Sequence, residues 1–212
     1  MKEKNLKDIF LQNRGNQIDK WMHYFDAYER HFSRFRYKKT NVVEIGVQHG
    51  GSLKMWKEYF GKDAQIYGVD IDPRCKQFES DGFKIFIGDQ GDMNFMDRLT
   101  KELPEIDILI DDGGHTMRQQ INTFKALYPH ISKNGVYFCE DTCTSYWRRA
   151  DKENNFMKMC SELVHELNGY WHNKVTDITK TALSMHFYDG IVVIEKGRHI
   201  APERRKTGRP VL

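Results

Sequence analysis

Residues Asp107 to His115, reading D-I-L-I-D-D-G-G-H, constrain the fold more tightly than any other stretch of the chain. Ile108, Leu109 and Ile110 form a short apolar run suited to a strand buried on both faces. Within one residue the character changes to two carboxylates, Asp111 and Asp112, then two glycines and His115. Core packing does not call for this order, because adjacent carboxylates repel and neither is easily buried. The carboxyl end of a parallel strand does, since open α/β sheets bind their ligands there. Val136 to Cys139 repeats the pattern and ends in Glu140 and Asp141. Two neighbouring strands of this kind gather up to four carboxylates around one point. Such a cluster persists at neutral pH if a cation sits in it, if some members stay protonated, or if solvent and donors screen it.

The rest of the chain supplies a sheet for those strands. Asn41 to Ile45 reads as a first strand running into E-I-G-V-Q-H-G-G-S, with Leu53, Trp56 and Tyr59 or Phe60 at helical spacing behind it. Gly46 permits a tight turn, and Gly50 and Gly51 permit close backbone approach. A dinucleotide-binding turn needs a glycine where this chain has Gln48, and Glu44 would repel a phosphate while attracting an ammonium group. A ligand without phosphates is favoured. Gln65 to Val69 is a second strand ending in Asp70, placed to hold the two hydroxyls of a ribose, whereas Asp72 before Pro73 suits a helix N-cap. Phe83 to Ile87 is a third strand, closing in G-D-Q, where Asp89 or Gln90 can meet an adenine edge. Asp92 caps a helix over 95–103. Met117, Ile121, Phe124 and Leu127 mark another helix, and Lys133-Asn134-Gly135 ends it in turn chemistry.

Beyond Asp141, T-C-T-S-Y-W-R-R reads as an active-site loop, followed by a helix over about 153–168 and late strands near 174–178 and 184–195. At the other end, Ile18, Trp21, Met22, Phe25, Tyr28 and Phe32 predict one helix over 17–35 with a broad apolar face. Lys20, His23 and Tyr24 lie beside that face, either as an ordinary polar flank or as contributors to the site. The chain divides into a helical extension at 1–40, one domain at 41–196 and a basic tail at 197–212, with no internal repeat.

With 212 residues and a net charge of +3, the balance is too weakly basic to argue for nucleic acid. The N-terminal residues lack a signal-peptide stretch and no run approaches a membrane span, so a soluble, cytoplasmic protein without membrane association is expected. Cys75, Cys139, Cys143 and Cys160 have no C-x-x-C spacing and are expected to be reduced structural thiols. A homo-oligomer stays open, because the aromatic N-terminal helix and the tail are both able to serve an interface.

The order strand, E-x-G-x-x-x-G-x-S turn, helix, then strands ending in Asp, G-D-Q, D-D-G-G-H and E-D, resembles the class I S-adenosylmethionine-dependent methyltransferases. More narrowly, I-D-D-G-G-H with E-D-T-x-T-S-Y-W resembles the macrolide sugar O-methyltransferases of mycinamicin and macrocin biosynthesis and the related cephalosporin hydroxylase or rhamnosyl O-methyltransferase family. The resemblance runs from about Gly15 to Lys196. It implies an α/β, Rossmann-like, doubly wound sheet of seven mostly parallel strands with one late antiparallel strand and an added N-terminal helix. It implies S-adenosylmethionine as cofactor, with Glu44, Gly46, Gly50 and Ser52 lining its methionine end, Asp70 on the ribose and Asp89 with Gln90 on the adenine side. Asp111 is assigned to the cofactor side as well. It further implies Mg2+ held by Asp112, Glu140 and Asp141, and His115 as general base.

The expected reaction is methylation of a sugar hydroxyl on a small-molecule glycoside or a glycan. His23, Tyr24, Tyr146 and Trp147 are acceptor-side candidates, the last two as an apolar wall for a sugar ring. One rival drops the metal and lets Asp112 or His115 deprotonate a phenol. Another is a catalytically silent, methyltransferase-like binding subunit. An RNA methyltransferase rests only on terminal arginines. A lysine or arginine side chain filling the place of the ion between the two strand tips would reduce the expectation to cofactor binding alone.

Overall fold

The structure, a computed structural model, describes residues 4–210. In chain order its elements are α1 (Leu6–Leu11), α2 (Phe25–Phe32), β1 (Asn41–Ile45), α3 (Gly51–Phe60), β2 (Gln65–Asp70), β3 (Lys84–Ile87), α4 (Met93–Glu102), β4 (Ile106–Asp111), α5 (Met117–Leu127), β5 (Ile131–Cys139), α6 (Phe156–Leu167), α7 (Asp177–Thr181), β6 (Ala182–Tyr188) and β7 (Ile191–Lys196). The seven strands form one sheet in the order β3-β2-β1-β4-β5-β7-β6. All pairings from β3 to β5 are parallel, and β7 runs antiparallel to both its neighbours. This is the doubly wound sheet with one late antiparallel strand that the sequence implies.

Strand side chains alternate between faces, and two cores result. Val42, Ile108, Ile110, Val136 and Phe138 pack with Leu6, Phe25, Tyr28, Phe32, Leu53, Trp56 and Tyr59 of α1 to α3. Val43, Ile45, Leu109, Tyr137 and Cys139 pack on the other side with residues of α4 to α7. Tyr28 sits at an aromatic hub, its ring 4.9 Å from Phe138 and 5.3 Å from Trp56. The N-terminal helices thus share the core of the sheet.

Helix starts follow the expected chemistry. Asp72 accepts from the Arg74 amide, Asp92 from that of Asn94, and Thr116 forms a reciprocal capping box with Gln119. Three expectations need correction. Residues 17–21 are not helical; the apolar stripe survives only in Phe25, Tyr28 and Phe32, while Trp21 and Met22 are exposed. Residues 174–176 are irregular and Asp177–Thr181 is a short helix, capped by Thr176, where a strand was expected. Lys133 to Gly135 belong to β5, at a register break between Ile106↔Ile131 and Ile108↔Val136 that absorbs their turn chemistry as a bulge. The cysteines are all free. Among the described residues no helix is long and apolar enough to cross a membrane.

An ion-paired brace ties α2 to the sheet. Buried His31 donates from Nδ1 to Glu195 Oε1 at 2.5 Å, and Arg34 pairs with Oε2 at 2.8 Å. The His31 hydrogen bond, with help from Arg34 and against the opposing effect of burial, pulls the Glu195 carboxyl down to about 2. A carboxyl whose folded pKa is depressed stabilises the fold above its ordinary pKa, and that contribution fades as pH falls through the folded value. The stability gap between wild type and Glu195→Gln should therefore be full above about pH 4.5 and shrink toward pH 2. Denaturant melts across that range measure it; a gap independent of pH would refute the brace.

Candidate active site

A cavity of about 460 Å³ opens at the carboxyl ends of β1, β2, β4 and β5. Its wall includes Gly46, Gln48, Asp70, Ile71, Gly88, Asp89, Gly113, Gly114 and His115, with Asp19, Lys20 and Trp21 closing one side. Glycine is required at Gly46: φ is +97°, and a Cβ there would run into the carbonyl group of Asp112. The β1 and β4 loops can touch only because that side chain is missing. Three residues with side chains also take left-handed backbone around the cavity, Gln48 (φ 48°), His115 (φ 53°) and Asp141 (φ 51°). Non-glycine residues persist in that region when the surroundings hold them there, commonly at functional sites.

Strand alternation decides which acids meet. Glu44 shares a face with Val42, and Asp111 shares the opposite face with Leu109. Glu44 is fully buried under α3, accepting from Ser52 Oγ at 2.7 Å and Trp56 Nε1 at 2.9 Å. Burial, opposed by Lys20 and these donors, raises its pKa to about 7. Asp111 is buried on the other side, accepting from Gln90 Nε2 at 2.9 Å and Tyr137 at 3.3 Å; burial pushes it too to about 7. Gln90 spends its other amide atom on the Gly114 N–H at 2.8 Å. Asp70 accepts from the amides of Val47, Gln48 and Asp72, all within 2.9 Å, and so braces the glycine turn while lining the cavity. Of the residues assigned to the cofactor, Gly46, Asp70, Asp89 and Gln90 line the cavity. Glu44, Gly50, Ser52 and Asp111 are buried and are not among its lining residues.

Asp112, Glu140 and Asp141 do converge, since β4 and β5 are parallel neighbours. Asp112, Asp141 and His115 each present a donor atom within 4.8 Å of the other two. His115 Nε2 lies 3.5 Å from Asp141 Oδ2 and 3.8 Å from Asp112 Oδ1, while its buried Nδ1 has no partner among the described residues. Thr116 caps α5, so capping is not the role of the histidine. Thr144 Oγ1 donates to the His115 carbonyl at 2.8 Å, joining the 142–146 turn to it. Tyr146 and Trp147, at the end of that turn, are exposed.

A cation is already present in this cluster. Lys20 Nζ donates to Asp112 Oδ2 and to both oxygens of Glu140, at 3.0 and 3.1 Å, and lies 4.0 Å from Glu44. Its side chain is 2% exposed. Burial by itself would lower the ammonium pKa, but Asp112, Glu140 and Glu44 outweigh it and hold it above the ordinary lysine value. Glu140 and Asp112 are shifted upward in turn, by burial first, with Lys20 opposing. A lysine side chain thus fills the place between Asp112 and Glu140 that was expected for an ion, and by the condition stated for the two strand tips this pair by itself supports cofactor binding alone. The atoms of Asp112, Asp141 and His115 lie close enough together to hold a divalent ion, although one Asp112 oxygen, like both oxygens of Glu140, is held by Lys20. Sequence periodicity placed Lys20 on the flank of a helix; the usable signal was the charged pair Asp19-Lys20 set among aromatics. His23 and Tyr24 also enter the site region. Tyr24 donates to Asp141 Oδ1 at 2.7 Å, and His23 Nε2 contacts the Asp189 carbonyl at 3.2 Å.

The parallel sheet, the glycine turn after β1 and the acids at the ends of β2 and β4 define a methyltransferase domain, and a family model described as a methyltransferase domain matches residues 43–142. Residues 43–142 thus carry a domain of the methyltransferase kind. The chain is 32% identical over 199 residues to the mycinamicin VI 2''-O-methyltransferase of Micromonospora griseorubida, covering 84% of this chain and 49% of that protein. It is 38% identical over 203 residues to the demethylmacrocin O-methyltransferase of Streptomyces fradiae, covering 84% and 50%. The MycE methyltransferase of mycinamycin biosynthesis, solved in complex with Mg, SAH and mycinamycin VI, superposes with a TM-score of 0.80 at 27% identity, over 93% of this chain and 54% of that one. The chain thus spans about half the length of the relatives it matches.

Proposed function

We propose that this chain transfers a methyl group from S-adenosylmethionine to a sugar hydroxyl of a glycosylated small molecule or a glycan, with Mg2+ held by Asp112 and Asp141. The observation that carries the proposal is the convergence of Asp112, Asp141 and His115 at the edge of the cavity, on two adjoining strand ends. The glycine-lined wall suits a nucleoside cofactor: its volume is in the range of small-molecule pockets, and side chains at Gly46 or Gly113 would intrude on neighbouring atoms. When bound, the two groups supply an electrophilic methyl on a sulfonium and a Lewis acid that lowers the pKa of a sugar hydroxyl.

The residues of the chain do the rest. Asp112 and Asp141 would hold the ion, and His115 Nε2, facing both carboxylates, would accept the hydroxyl proton that leaves as the oxygen–carbon bond forms and the carbon–sulfur bond breaks. Tyr146 and Trp147, exposed at the end of the turn joined to His115, are the rings offered to the sugar, and Tyr24 meets the site through Asp141.

The buried Lys20 ammonium favours one alternative, an enzyme in which the acid cluster needs no metal and His115 or Asp112 deprotonates a phenol. Chelation separates the two. With a glycoside acceptor and S-adenosylmethionine, EDTA should lower turnover by roughly a hundredfold or more and excess Mg2+ should restore it. S-adenosylhomocysteine formation is the readout, and activity undiminished by EDTA selects the metal-free reading.

A further inference from the structure

Residues 13–21, between α1 and the turn at Met22–Tyr24, form an extended strap along one side of the cavity. Together with Tyr24 it spends its side-chain donors on the acids of the cluster. Lys20 takes Asp112 and Glu140, while Trp21 Nε1 at 3.1 Å and Tyr24 OH at 2.7 Å take the same oxygen of Asp141. The flanks are held elsewhere. Asn13 donates to the Asn16 carbonyl at 2.8 Å and Asn16 to the His49 carbonyl at 2.9 Å, while Met22–Tyr24 leads directly into the packed α2. Between those anchors, residues 17–21 have neither helix nor strand.

We propose that this strap is a latch exchanged by a divalent cation: without the ion Lys20 neutralises Asp112 and Glu140, and an ion binding at Asp112 and Asp141 expels the ammonium and frees residues 19–21. The inference rests on the metal reading above. An ammonium is a point charge with three donors, content with the same carboxylate oxygens that a hard divalent ion requires. Two cations on the Asp112 carboxylate, one of them 2% exposed, repel each other strongly in a site from which solvent is excluded. The divalent charge gains more from the cluster than the single one does. Lys20 has somewhere to go, because the strap lies at the surface and Trp21, its neighbour, is 61% exposed. Loss of Trp21 and Tyr24 from Asp141 accompanies the same event, since that carboxylate belongs to the donor set. The latch keeps buried carboxylates neutralised between ion-binding events and clears one wall of the cavity when the ion arrives.

The test uses the whole chain, stripped with EDTA, with Mn2+ as the probe and two readouts independent of turnover. Trypsin cleavage after Lys20 reports withdrawal directly, because the buried side chain is inaccessible while the latch is closed. Saturating Mn2+ should accelerate that cleavage by about tenfold or more, while cleavage after exposed Arg14 stays constant as an internal reference. Mn2+ affinity, from the electron paramagnetic resonance signal of the free ion, should rise about tenfold in Lys20→Met and stay near wild type in Lys20→Arg. Mn2+ binding without faster cleavage at Lys20 would overturn the latch and make the lysine a permanent member of the cluster. Equal or weaker Mn2+ affinity in Lys20→Met, with its S-adenosylhomocysteine binding intact, would overturn it as well. If Lys20→Met fails to fold, the wild-type cleavage experiment decides alone. Absence of Mn2+ binding in every variant, with S-adenosylhomocysteine still bound, removes the metal reading and the latch with it.

Discussion

Asp141→Asn should lower kcat/KM for methyl transfer by roughly a thousandfold while changing the dissociation constant of S-adenosylhomocysteine by less than about threefold. The expectation follows from where the carboxylate stands. Oδ2 lies 3.5 Å from His115 Nε2, and Oδ1 accepts from Tyr24 and Trp21, so both oxygens face the strap and the imidazole. The glycine-lined part of the cavity is built separately, by Gly46 and Gly113 and by Asp70 holding the turn after β1. Asparagine tolerates left-handed backbone better than other residues with side chains, so the φ of 51° at this position is retained. The change then removes charge with little change of shape. Steady-state kinetics and calorimetry with S-adenosylhomocysteine check it; equal losses in both would contradict the separation of the acid cluster from the cofactor wall.

The second large effect is on the fold itself. Gly46→Ala should cost on the order of 3–5 kcal/mol, from a side chain forced into left-handed backbone and from overpacking against a rigid neighbour. The neighbour here is backbone: the added Cβ would come within 2.7 Å of the Asp112 carbonyl carbon and 3.1 Å of Gly113 Cα, and neither can swing aside as a side chain tip does. For a domain of this length each kcal/mol is worth about 2–4 °C, so the melting temperature should fall by roughly 6–20 °C. S-adenosylhomocysteine binding should weaken at the same time, because Gly46 lines the cavity. An unchanged melting curve would show that β1 and β4 do not depend on this contact.

The sheet and most helices were legible in the sequence because their signals are local and repeated. The apolar runs of β1 to β5 end in acids or glycines, and α3 to α6 carry uninterrupted stripes with caps before three of them. The N-terminal segment misled because a stripe of aromatics is compatible with helix over its whole length, whereas tertiary contacts decide where helix begins. Residues 17–21 gain more from reaching the acids and the α3 terminus than from a further turn of helix: Lys20 meets two carboxylates, and the Asn16 and Gln17 carbonyls pack against Gly51. The convergence of Asp112 and Asp141 with His115 followed from strand adjacency. The inward turn of Glu44 and Asp111 did not, although strand parity places Glu44 with Val42 and Asp111 with Leu109 on opposite faces.

The hydroxyl of Thr144 grips the carbonyl of His115. Tyr146 and Trp147 therefore sit on a lever whose short arm is the backbone of the histidine. A shift of that turn would therefore pull on the left-handed backbone of His115 as well, so neither segment moves without the other.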